Sequence, residues 1–235
     1  DTGDKAPAAP ALFWLASRYG RPEFARFQSE RARPHALDLL WYDPSFASPA
    51  AAQPPLDRYF RGSEVVTMRS AWNDRDALFV GFKAGDNKAN HSNLDLGSFV
   101  LDAMGKRWVV DLGKDNYNLP GYFGKERWTY YRMRAESHNT LVISPGKGAD
   151  QDPTAATAIV QFESTPALAS ATADLTRAYP SHAQLVHRTI AMHDRQHVTV
   201  RDNVRLESPG EVWWFMHTPA DVEITGFRSD GTNLL

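Results

Sequence analysis

Residues 183–193 read AQLVHRTIAMH, and residues 197–207 read HVTVRDNVRLE. In the second stretch Val198, Val200, Val204 and Leu206 take every second position around Asp202. Successive side chains of a strand point to opposite faces, so this spacing gathers the apolar set on one face. The same strand-like character recurs at 64–72 (EVVTMRSAW), 77–85 (ALFVGFKAG), 97–103 (GSFVLDA) and 107–113 (RWVVDLG). It returns at 139–144 (NTLVIS), 158–164 (AIVQFES) and 211–218 (EVWWFMHT). WNDRDA at 72–77 and DAMGKR at 102–107 carry turn residues between such runs. No helical pattern intervenes between the strands, which argues against a parallel α/β sheet. The prediction is a mainly β protein, an antiparallel β-sandwich, preceded by a short helical segment.

That helical segment occupies the first 44 residues. DTGDKAPAAP at 1–10 is a Pro- and Ala-rich lead-in. ALFWLASRY at 11–19 reads as a helix that stops at Gly20, and Pro22 suits the first turn of the next, RPEFARFQSERA, with Phe24 and Phe27 on one face. HALDLLWYDP is a third short helix ending before Pro44. SFASPAAAQPP at 45–55 is the clearest linker, and 56–235 form the sandwich.

The composition is that of an ordinary globular protein, 42% hydrophobic and 23% charged, with a formal net charge of −2. A nucleic-acid binder would show a basic excess. With no cysteine, disulfides, thiolate metal sites and a Cys nucleophile are excluded. No apolar run approaches the length of a membrane span. The sequence opens on Asp1 without a signal peptide and stops abruptly after GFRSDGTNLL, which suggests a piece of something larger.

Chemistry concentrates in NHSNLDLGSF at 90–99. If this segment is extended, His91, Asn93 and Asp95 share a face. A hairpin about Met104–Gly105 would return Asp111 beside them, and His138 precedes another strand. An Asp, a His and a third N/O donor at position 93 make a plausible three-ligand site for a divalent metal. A turn closed by Asn and Asp side chains explains the same residues, and on spacing alone both readings stand. His182, His187, His193 and His197 read as surface or satisfied core residues, and His217 as a histidine packed among aromatics. The loop at 115–136, DNYNLPGYFGKERWTYYRMRAE, lies between Asp111 and His138 and should rim the same site. Its Tyr117 and Tyr122 could stack on sugar faces, and Arg132 and Arg134 could pair with carboxylate or sulfate. The alternative is a loop that packs its aromatics on its own sandwich.

HSNLDLGSFVLDAMGKRWVVDLG followed by RAESHNTLVI resembles the β-sandwich domain of the heparinase II/III-like polysaccharide lyases. Residues 11–43 are similar to the last helices of the α/α toroid that precedes that supersandwich-like domain. The resemblance covers most of the chain. It implies that His91 is a catalytic-site residue, and that position 93, Asp111 and His138 bind a structural metal, commonly zinc. The family has His at position 93; this chain has Asn, a harder and weaker ligand that favours zinc less and tolerates calcium or manganese more.

The resemblance further implies β-elimination on a uronic-acid polysaccharide of glycosaminoglycan or alginate type, with no organic cofactor. The carboxylate must be neutralised, a base must take the C5 proton, and an acid must protonate the departing O4. In the family several of these groups come from the toroid, so the sandwich alone is expected to be inactive and to need the toroid as its partner. A periplasmic or secreted location follows from kinship. The alternative is a non-catalytic carbohydrate-binding sandwich; a purely structural sandwich is a third reading.

Overall fold

The computed structural model describes residues 6–46, 54–146 and 149–223. The chain divides into two compact units, Asp1–Pro54 and Pro55–Leu235. The first holds α1 (Ala11–Tyr19), α2 (Pro22–Glu30) and α3 (Asp38–Trp41). Gly20 ends α1 in the left-handed conformation, at φ 61°, where a Cβ would be strained, and its N–H bonds back to the Ala16 carbonyl. Phe13, Ala16 and Ala25 form a small core covered by Phe24, Trp41 and Phe46. Phe27, expected beside Phe24, is 44% exposed instead. Most of the predicted linker, residues 47–53, lies outside the described residues.

The second unit carries twelve strands among its described residues: β1 (Arg58–Phe60), β2 (Val65–Arg69), β3 (Phe79–Lys83), β4 (Gly85–Asp86), β5 (Phe99–Ala103), β6 (Lys106–Val109), β7 (Leu141–Ile143), β8 (Ala156–Ser164), β9 (Leu168–Asp174), β10 (Ala183–His193), β11 (His197–Leu206) and β12 (Val212–Trp214). One sheet runs β1-β2-β3-β5-β6, a second β11-β10-β9-β8-β4, and β12 pairs with β7. Every pairing within them is antiparallel. The core lies between the sheets: Val66, Met68, Val80 and Phe82 from one meet Ala169, Ala171, Ala173, Val186, Ile190 and Met192 from the other. The β5–β6 turn places Met104 and Gly105 at φ 52° and 70°, the left-handed pair that matches strand twist in a two-residue hairpin.

β9 escapes a reading by strand propensity. Its inward positions are alanines, a residue depleted in strands, yet Ala169, Ala171 and Ala173 are all fully buried. The strand is held by its neighbours β8 and β10 rather than by side-chain bulk.

Among the described residues, Arg188 on β10 is the largest fully buried side chain. Its Nε and Nη2 form a fork on Asp202 of β11, at 2.7 and 2.9 Å. Its Nη1 donates to the carbonyls of Gly97 and Asn139, at 3.0 and 2.9 Å. One cation thus ties the long hairpin to the two segments that lead into β5 and β7. Arg188→Met would leave Asp202 without its partner and two carbonyls unsatisfied. A loss of about 3–5 kcal/mol is expected, read from urea unfolding, because removing one partner of a buried pair strands the other charge.

Candidate functional site

The segment before β5 is a folded turn, not an extended strand, which corrects the expectation that His91, Asn93 and Asp95 line one face. The Lys88 N–H donates to Asp86 Oδ1 (2.7 Å), the Ser92 N–H to the Ala89 carbonyl (3.1 Å), and the Ser92 hydroxyl to the Asn87 carbonyl. His91 sits at φ 62°, an uncommon conformation for a residue with a Cβ, and its side chain is exposed. Beyond it Leu94 and Leu96 are driven into the interior. The Gln151 side chain holds the Leu96 backbone at both its N–H and its carbonyl, and Asp95 pairs with Lys83 at 2.6 Å.

The aromatic loop meets this turn. His91 stacks on Tyr117, with ring centroids 5.8 Å apart and planes 15° apart, and meets Phe123 edge-on at 5.6 Å. Tyr117 is 41% exposed and Phe123 60%, so both present ring surface to solvent. Lys114 Nζ lies 4.5 Å over the Tyr117 ring. Tyr122, expected to touch a ligand, is only 2% exposed; it packs beneath Tyr117 and Phe123 and supports the platform. Arg132 is exposed and holds the Leu112 carbonyl at 2.5 Å. Arg134 is committed elsewhere: it forms a fork on Asp150 (3.1 and 2.8 Å) and pairs with Glu136 (3.0 Å), so its charge is already matched.

Asp111 and His138 do come together, with Oδ2 2.7 Å from Nδ1. Burial works against the Asp111 carboxylate, but its bonds to His138 and to the Gly113 N–H outweigh this and hold it below the usual range. The carboxylate therefore accepts the Nδ1 proton. That leaves His138 Nε2 buried and without a hydrogen-bond partner. Two atoms bound to one tetrahedral zinc stand about 3.3 Å apart, given metal–ligand distances of about 2.0–2.2 Å. The Asp111–His138 contact is shorter and is a hydrogen bond. The Asn93 side chain bonds to neither group, and no set of three His, Asp or Glu side chains placed for a metal occurs among the described residues. Asn93, Asp111 and His138 therefore do not fit the zinc set that the resemblance implies. Asp111 orients His138 instead.

Next to this pair lies a group that sequence reasoning missed. Asn139 is fully buried, and its Nδ2 donates to the carbonyls of Phe99 (2.9 Å) and Val110 (2.8 Å). That fixes the amide, so Oδ1 faces His217, accepting its backbone N–H at 2.7 Å and lying 3.3 Å from Nδ1. Nδ1 must carry the ring proton. Nε2 is then the acceptor for the Tyr131 hydroxyl, 3.2 Å away. Burial, then the nearby His138, lower the His217 pKa against the pull of Asp111. Burial, then Glu136, raise that of Tyr131. The signal available in the sequence was the second residue of the HNT triplet and a Tyr that follows another Tyr.

The heparinase II/III-like C-terminal family model matches residues 52–234. The chain belongs to this family, a family of lyases. Among solved structures, a heparinase III with methylated lysines is similar at 16% identity and a TM-score of 0.69, over 92% of this chain and 30% of that one. A heparan sulfate lyase HepC mutant from Pedobacter heparinus is similar at 18% identity and a TM-score of 0.64, over 88% of this chain and 29% of that one. At these identities the likeness is one of fold, and the chain spans about a third of those structures. The comparison with curated proteins finds no match.

Two outcomes follow. Elemental analysis of the purified protein should find zinc well below one equivalent, and Asn93→His, which supplies a third strong donor, should raise it. Thermal unfolding between pH 5 and 8 should also report His217. Its folded pKa is lowered, so below about 6.5 the unfolded chain takes up the proton more readily and stability falls with falling pH. His217→Gln should flatten that slope.

Proposed function

We propose that the protein supplies the sandwich side of a cleft that cleaves uronic-acid polysaccharide by β-elimination. The observation that carries this is His91 held against Tyr117 at a solvent-exposed aromatic surface. In that reaction a base takes the C5 proton, the C4–O4 bond breaks, a C4–C5 double bond forms, and O4 is protonated. His91 is exposed and suited to proton transfer near C5 or O4. Tyr117 and Phe123 offer ring faces for the sugar, and Lys114 and Arg132 give the rim a positive charge for carboxylate or sulfate. Activation of C5 would need further groups from a toroid of the same protein, its proposed partner. Heparan sulfate, hyaluronan and alginate all present the required uronate, and a periplasmic or secreted location suits such polymers.

The exposed Tyr117–Phe123 surface also favours a second reading, a sugar-binding sandwich without chemistry, since stacking alone needs no proton transfer. The full-length protein should be incubated with the three polymers and the product followed by its ultraviolet absorbance. The lyase reading expects unsaturated product from at least one polymer. It also expects a fall of about 10²- to 10⁴-fold in kcat for His91→Ala. Binding that weakens in Tyr117→Ala, with no product from any of the three, would leave the second reading in its place.

A further inference from the structure

The geometry points to Arg127 as the residue that positions His91 for the reaction. This rests on the lyase reading above for its consequence, though not for its geometry. Arg127 is 8% exposed, a guanidinium enclosed by the rings of Tyr122 (4.8 Å), Trp128 (5.2 Å) and Phe123 (5.7 Å). Its Nη2 donates to the carbonyl of Ser92, the residue that follows His91, at 2.5 Å. Its Nη1 donates to the Tyr122 carbonyl, in the loop that holds His91's ring partners, at 3.2 Å. One planar group thus spans the two segments whose separation sets the His91–Tyr117 stack.

The turn needs such a latch. His91 occupies the left-handed region, where a residue with a Cβ stays only if its surroundings over-determine it. Ser92 is fixed by its own hydrogen bonds to Asn87 and Ala89 on one side and by Arg127 on the other. Among the described residues no carboxylate forms an ion pair with Arg127, in contrast to Arg107, Arg134, Arg188 and Arg195. Its hydrogen bonds go to carbonyls alone, so salt-bridge formation does not explain its burial. The charge that remains beside His91 favours an anionic ligand. Lysine could supply that charge but not the two-armed span, because its ammonium is a single point.

The test compares Arg127→Lys and Arg127→Gln with the parent protein by two measurements. The first is the NMR signal of the His91 ring, which stacking on Tyr117 displaces upfield. Both variants are expected to lose that displacement. The second is the kinetics of the full-length protein. A misplaced catalytic group lowers kcat, here by about 10- to 100-fold, while KM stays within about threefold. Because Arg127 would act through His91, the Arg127→Gln/His91→Ala double variant should be no slower than His91→Ala. A His91 signal that stays displaced in both variants would overturn the inference. Losses that multiply in the double variant would also overturn it, since a residue acting by general destabilisation gives that result. Should the parent form no product from any uronate polymer, the lyase reading falls and the His91 signal alone decides whether Arg127 sets the ring. Should Arg127→Gln not fold, Arg127→Lys, which keeps the apolar stem and the charge, carries the same two readouts.

Discussion

A fully buried guanidinium organises the sandwich. Arg188 has given up water, and its position is tolerable only because each arm ends on a specific acceptor: the Asp202 carboxylate on the next strand, and the carbonyls of Gly97 and Asn139. Trp214, in the short sheet formed by β12 and β7, lies 5.9 Å from the charge. These acceptors cannot be exchanged for others nearby. Gly97 must keep φ 84° and leave room for Leu175, whose Cδ1 lies 2.4 Å from where a Cβ would stand. Arg188 therefore fixes the register in which the segments before β5 and β7 approach the second sheet.

The candidate site is built on those same two segments. Six residues upstream of Gly97 is His91, and one residue upstream of Asn139 is His138. The candidate surface has no regular secondary structure of its own beyond single turns of 3₁₀ helix at Arg127–Thr129, Tyr131–Met133 and Ala135–Ser137. Its order comes from side chains that reach across loops: Arg127 to Ser92, Arg132 to Leu112, Tyr130 to Pro120. Leu94 N–H on the Met133 carbonyl adds a backbone bond between the turn and the loop, at 3.0 Å. Aromatic rings fill the space between these bonds, so the platform is packed where it meets His91 and exposed where it would meet a ligand.

Strands were legible where bulk and periodicity agreed. β10 and β11 carry branched and long apolar residues at every second position on either side of Arg188 and Asp202, and their limits could be read almost to the residue. β9 could not, because an alanine face looks like nothing in particular until the flanking strands are present. The site was legible as residue types but not as directions. Nothing local tells Tyr117 from Tyr122, yet one faces solvent and the other lies under it. Nor does spacing tell Arg127 from Arg134: the partner that neutralises Arg134 is Asp150, brought in from beyond β7. The extended reading of 90–99 failed for a backbone reason, since a left-handed His91 and the turn at Gly97 interrupt the alternation that a strand would impose.

The substitution at position 93 gains its meaning from that geometry. A metal held from positions 93, 111 and 138 would join the segment before β5, the end of β6 and the segment before β7. In this chain hydrogen bonds make the same junctions. The Asp111 carboxylate fixes the His138 ring, and the Asn139 amide reaches Phe99 on β5, Val110 beside Asp111, and His217 beyond β12. One amide thus satisfies three segments of backbone, as a coordinated ion would, but with neutral groups and fixed directions. With those junctions made, an asparagine at position 93 whose side chain forms no hydrogen bond among the described residues is compatible with the fold. The remaining mark of the pattern is His138 Nε2, buried and unpaired, where the network falls one partner short.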